Sequence, residues 1–156
     1  MTPDPFFNSL PEIAPAQLAE LTGLDANLQR SWRHRGYIEG LGTLQENGRW
    51  LYDWFDVLII AMMQKLYERG VELSHAKEFA GTVGAPVFFW SVSAHRPISD
   101  QQKPKHVAFL REGGEWTARK VFGGQLPEAE ACFLVDCELL AASLSAPIRA
   151  KIKELA

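Results

Sequence analysis

Between Asp25 and Gly36 the chain carries a helix-length segment with a start signal, a stop signal and two chemically opposed faces. Asp25 can accept a backbone N–H bond and cap the helix, and Gly36 can end it in the left-handed conformation that other residues resist. Leu24, Leu28 and Trp32 recur at four-residue spacing and are predicted to turn inward together, leaving Arg30, Arg33, His34 and Arg35 toward solvent. Before it, Pro15 suits the first turn of another helix whose Leu18, Ala19 and Leu21 point inward, and Thr22-Gly23 ends it. Two short helices joined by a glycine turn make a helix-turn-helix, in which the first helix braces a basic second one against a nucleic-acid groove.

The flanking sequence extends this unit. Pro3, Pro5 and Pro11 forbid a continuous helix over residues 1–12, which read as an arm whose Phe6 and Phe7 can tuck against the body. After Gly36, residues 37–45 are predicted extended, Glu46-Asn47-Gly48 a tight turn, and 49–52 the returning strand of a hairpin, or wing. Asp53, with Asp56 three residues on, opens a helix that runs to about Arg69 and stops at Gly70. Apolar residues nearly encircle it, so it is either central or half of an interface. Ser74 is predicted to cap a short helix over 75–80, and Gly81 and Gly84 to close the unit. From Pro86 the pattern turns to strands at 87–92, at 106–111 paired with 116–122 across Gly113-Gly114, and at 131–138; Pro147 opens a closing helix over 148–155. The fold class expected is α+β: an arm over 1–12, a winged helix-turn-helix over 13–82, and a small α+β domain with an antiparallel sheet over 83–156.

Composition narrows the function classes. The net charge of −3 argues against coating nucleic acid without selectivity, so any contact with it has to rest on a local basic patch. The longest apolar run, residues 57–63, falls far short of the ~20 residues that span a bilayer, and the N-terminus lacks a signal pattern, so no membrane contact and a cytoplasmic location are expected. Cys132 and Cys137, five apart on one predicted strand, would point to opposite faces, which disfavours a disulfide. The histidines have no metal-ligand spacing, and no glycine-rich phosphate loop, nucleophile elbow or paired carboxylates appear. Neither an enzyme nor a cofactor or metal is therefore expected. Phe88-Phe89-Trp90 with Trp116 and Phe122 read as the core of a small sheet or the lining of a small-molecule pocket.

Leu21-Thr22-Gly23-Leu24, Arg30-Ser31-Trp32 and Arg35-Gly36-Tyr37-Ile38, followed in register by Asn47-Gly48, Tyr52, Asp56-Val57 and the stretch from Arg69-Gly70-Val71 to Ala76-Lys77, resemble the MerR family of winged-helix transcription regulators over roughly residues 13–80. Trp50 stands where that family has its wing arginine, with Arg49 one place earlier. Gly81, Gly84 and Pro86 stand where its long dimerising helix would follow. Nothing around Cys132 and Cys137 resembles the cysteine-rich loop of the family's metal-sensing branch.

The resemblance implies a regulator that binds double-stranded DNA sequence-specifically, with helix 25–35 in the major groove and wing 37–52 on the flanking backbone. Arg30, Arg33, His34 and Arg35 on the helix and Asn47 and Arg49 on the wing are the candidate contacts, since arginine both neutralises phosphate and reads guanine edges. Asn27 and Gln29 carry the amide that pairs with adenine and suit a core or capping role equally. One small basic face makes few contacts, so a homodimer is expected, with residues 83–156 supplying the interface, a protein partner site or an effector site. Two other classes stay open: an architectural DNA factor of the excisionase or terminase-small-subunit kind, and a winged helix used to bind protein.

Overall fold

Proline at the head of a helix gives up an amide that has no partner there, and Pro15 stands first in α1, Pro15–Thr22, of the computed structural model, which describes residues 5–155. Residues 1–4 of the predicted arm and Ala156 lie outside the described residues. Gly23 closes α1, its N–H donating to Ala19 O at 2.8 Å. Asp25 then caps α2, Ala26–His34, by accepting the Leu28 N–H at 2.9 Å. At the far end Tyr37 N–H reaches back to Trp32 O and Gly36 N–H to Arg33 O, the paired bonds of a Schellman stop.

The inward face of α2 differs from the expected one. Leu24 and Trp32 are buried, but Leu28 is 45% exposed, and Gln29, at 5%, takes its place. Leu24 lies outside the helix, before the cap, so its spacing to Leu28 does not set the helical face; the step from Gln29 to Trp32 does.

Residues 36–42 run as successive turns rather than the extended segment expected, burying Ile38 and Leu41. The hairpin is short: β1, Thr43–Leu44, pairs antiparallel with β2, Trp50–Leu51, around the Asn47-Gly48 turn. Tyr52 extends it by exchanging backbone bonds of 2.9 Å with Ile13, which ties the hairpin to the entrance of α1.

Asp53 and Asp56 cap each other's backbone at the head of α3, Trp54–Glu68. Residues 57–63 are at most 5% exposed, covered by α1, by the following helix and by the 3₁₀ turn Pro5–Asn8. The all-round apolar helix is therefore central, and its faces are taken up within one chain. Phe6 stacks on Phe88 at 4.8 Å and Phe7 lies 5.0 Å from Phe55, so the described part of the predicted arm is docked.

The largest departure follows. Instead of a short helix, a break and a strand, residues from Leu73 to Val92 form one helix of 20 residues, α4, through Gly81, Gly84 and Pro86. Strand-favouring Val87, Phe88 and Val92 continue the helical spacing of Ala76, Phe79, Ala80 and Val83, and all are buried together. Burial outweighs the ~3 kcal/mol that an interior proline costs a helix. Gly84 lets α3 pack close against α4: a Cβ there would sit 2.8 Å from Ile59 Cδ1. The boundary expected at 82/83 falls inside α4, and one buried apolar cluster runs from Phe6 to Ile152.

Beyond α4, β3 (His106–Glu112), β4 (Glu115–Val121) and β5 (Cys132–Asp136) form an antiparallel sheet in the order β4-β3-β5. Phe79 of α4 lies flat on Phe109 of β3, 3.9 Å between centroids and 9° between planes. α5, Cys137–Ala142, and α6, Ala146–Leu155, close the chain. Among the described residues there are six α-helices and two small antiparallel sheets, an α+β arrangement, and no helix is long and apolar enough to cross a membrane. Cys132 is exposed on β5, whereas Cys137 begins α5, buried, its thiol pushed up to about 12 by desolvation; both are free.

Candidate nucleic-acid interface

α2 and the β1–β2 hairpin face each other across a cleft of about 450 Å³. Arg30, Arg33 and His34 line it from the helix, and Arg49, Trp50 and Tyr52 from the hairpin; no carboxylate is among its lining residues. Three guanidinium groups on concave walls make a strongly cationic recess in a chain of net charge −3.

The arginines differ in what they are free to do. Arg33 lies with its guanidinium 3.6 Å above the Trp50 ring, and donates from Nη1 to Ile38 O at 2.9 Å and from Nη2 to Tyr52 Oη at 3.0 Å. Its Nε is buried without a hydrogen-bond partner. Expected on the solvent face, Arg33 is instead a half-buried strut joining helix to hairpin, because Trp50 offers its π face and two oxygens take its fork. Gly42 makes room for this: at φ +80°, a Cβ there would lie 2.8 Å from Tyr52 Cε1 and 3.1 Å from Arg33 Nη2.

Gln29 is likewise turned inward. Its amide nitrogen donates to Pro15 O at 2.9 Å and Leu24 O at 2.8 Å, satisfying buried carbonyls, so it presents no donor to a base edge. Arg30 is exposed at the cleft and hydrogen-bonded to Asn27 Oδ1 one turn back, so Asn27 and Arg30 share one exposed stretch of helix. His34 and Arg49 are exposed on opposite walls. Arg35 is exposed at the C-cap and does not line the cleft. Asn47 uses its Oδ1 on the Arg49 N–H at 3.0 Å, shaping the turn that carries Arg49. Sequence reasoning missed Trp50 as a platform; the signal was an aromatic beside Arg49 on the returning strand of the hairpin.

Asp56 ties this region to the core. Its Oδ2 accepts from Asp53 N at 3.2 Å and from Gly42 N at 3.1 Å, so one carboxylate anchors both the start of α3 and the entry to the hairpin. Desolvation, reinforced by the Asp53 charge, lifts its pKa to about 6. The folded state then holds the Asp56 proton more tightly than the unfolded chain, so this stabilisation is full below pH ~4 and is lost as pH rises through about 6. Thermal melts of Asp56→Asn beside the parent are expected to show the difference moving in favour of the variant between pH 4 and 7. A constant difference would mean that Asp56 ionises like a surface carboxylate.

The aromatic residues expected in a sheet core or pocket are divided: Phe88 is core within α4, Trp116 packs on Phe79, Phe122 is exposed, and Trp90 borders a cavity of about 520 Å³ between the end of α4, α5 and α6. No family model, curated protein or solved structure matches the chain.

Proposed function

We propose that the chain is a sequence-specific regulator that binds double-stranded DNA, its N-terminal half a winged helix-turn-helix of MerR type. In this reading α2 enters the major groove and the β1–β2 hairpin is the wing on the flanking backbone. The observation that carries it is the cleft itself: Arg30, His34 and Arg49 are exposed around a recess with no lining carboxylate, at the point where a helix and a hairpin converge. The contact set is Arg30, His34 and Arg49, with Asn27 held beside Arg30 and with Arg35 and Asn47 at the margins. Gln29 and Arg33 serve the frame. The protein acts by binding and not by catalysis, in the cytoplasm and as a homodimer, since a single cleft meets few phosphates.

Selection of bound fragments from a random DNA pool, followed by titration of the best fragment across salt concentrations, tests this directly. An inverted repeat with a clear advantage over random DNA is the expected result. Strong binding without a motif would point to an architectural factor, and no enrichment at low salt would overturn DNA binding. On the selected site, Arg30→Ala is expected to cost about 1–3 kcal/mol if Arg30 reads a base, or to reduce the salt slope by about one if it meets a phosphate. Unchanged affinity and slope would remove it from the interface.

A further inference from the structure

The two edges of the β4-β3-β5 sheet are unlike. β4 carries Glu115, Arg119 and Lys120, the charges that keep an open edge from pairing with another chain. β5 has neither a charge nor a proline from Cys132 to Val135. Its backbone is also open. Arg111 N–H bonds Ala131 O at 3.3 Å and Cys137 N–H bonds Lys105 O at 2.7 Å, at the two ends of the β3–β5 ladder, and all four residues are odd-numbered. Because backbone groups alternate sides along a strand, Phe133 and Val135 face β3, while Cys132 and Leu134 turn their N–H and C=O outward.

A groove of about 270 Å³ runs along that open edge, with Phe133, Leu134 and Val135 as one wall and Leu66, Leu139 and Leu140 among the residues of the other. Leu134 is 40% and Leu139 66% exposed. An unguarded edge beside an apolar groove is a place for an added strand, which gains main-chain bonds and buries alternate side chains. The charges at its ends indicate which strand. Asp136 stands at one end, already beside His106 at 3.4 Å. Arg69 is exposed and lines the groove, its Nη1 donating to Lys65 O at 2.9 Å, and the adjoining Gly70 walls a cavity with Phe133, Trp116 and Arg111, at the Ala131 end of the ladder. An antiparallel copy of β5 brings its own Asp136 to that end, alongside Arg69.

We infer that β5 pairs antiparallel with β5 of a second copy of this chain about a two-fold axis at Leu134, making one six-stranded sheet with the Leu139 side chains covering the seam. The pairing does not depend on DNA. Its test is sedimentation equilibrium of the full chain without DNA, where a concentration-dependent dimer is expected, and where Leu134→Lys and Leu139→Lys, both at exposed positions, are each expected to abolish it. Circular dichroism of each variant checks that the monomer fold is kept. The register is read by oxidation: Cys132→Ser with Leu134→Cys sets two thiols at facing positions, ~5.5 Å apart between Cα atoms, and is expected to give a disulfide-linked dimer. The parent, whose Cys132 residues lie four residues apart along the strands, roughly 14 Å, is expected not to cross-link. A monomer at every concentration overturns the inference, as does a dimer that survives both lysine variants or cross-links equally well through Cys132.

Discussion

Phe109→Ala is expected to lower the unfolding free energy by about 3–5 kcal/mol, a large part of the ~5–15 kcal/mol that holds a domain together. Phe109 sits on the central strand, 2% exposed, with its ring flat against Phe79 of α4. Trp116 joins this aromatic group, its ring edge-on to Phe79 at 5.3 Å, and Phe133 lies 6.5 Å from Phe79. Flat rings of fixed shape collapse poorly into a void, so the truncation leaves a cavity in addition to the lost transfer energy. Urea titration reads the effect as a fall in midpoint at unchanged slope. A loss below about 1 kcal/mol would mean that the Phe79–Phe109 stack is not what fastens the sheet to α4.

Arg33→Ala and Arg33→Lys are expected to act alike, each destabilising the protein by about 1–3 kcal/mol, because the function of Arg33 lies in its planar fork and its stack on Trp50 rather than in its charge. Lysine keeps the charge but cannot bond Ile38 O and Tyr52 Oη together from above the ring. Both variants are expected to weaken DNA binding through the position of the hairpin, leaving the salt slope of the selected site where it was, in contrast to a phosphate-contacting arginine. Thermal melts and salt-dependent titrations separate the two roles. A slope reduced by about one with stability intact would make Arg33 a phosphate contact.

Where a residue type itself dictates backbone conformation, the sequence was a sufficient guide. Asp25, Asp53 and Pro15 start helices, Gly23, Gly36 and Gly70 stop them, and Gly48 and Gly113-Gly114 turn hairpins, all at the positions local chemistry indicates. It misled where local preference and tertiary burial compete. Gly81, Gly84 and Pro86 are helix breakers in isolation, yet α4 passes through them because Ile59 needs the space at Gly84 and because Val83, Val87 and Phe88 have a core to enter. The basic face was legible as composition but not as a division of labour. Which arginine would find an aromatic ring depended on Trp50, 17 positions away, and which polar residue would be buried depended on the carbonyls of Pro15 and Leu24.

Those glycines and that proline have one more consequence. A rod of 20 residues, about 30 Å long, runs through all three, packed by α3, by α5 and α6, and through Phe79 by the sheet. The sheet, stacked on Phe79 of α4, and the hairpin, anchored through Asp56 of α3, are therefore joined across one helix–helix contact. Ile59, packed against Gly84, lies in that contact.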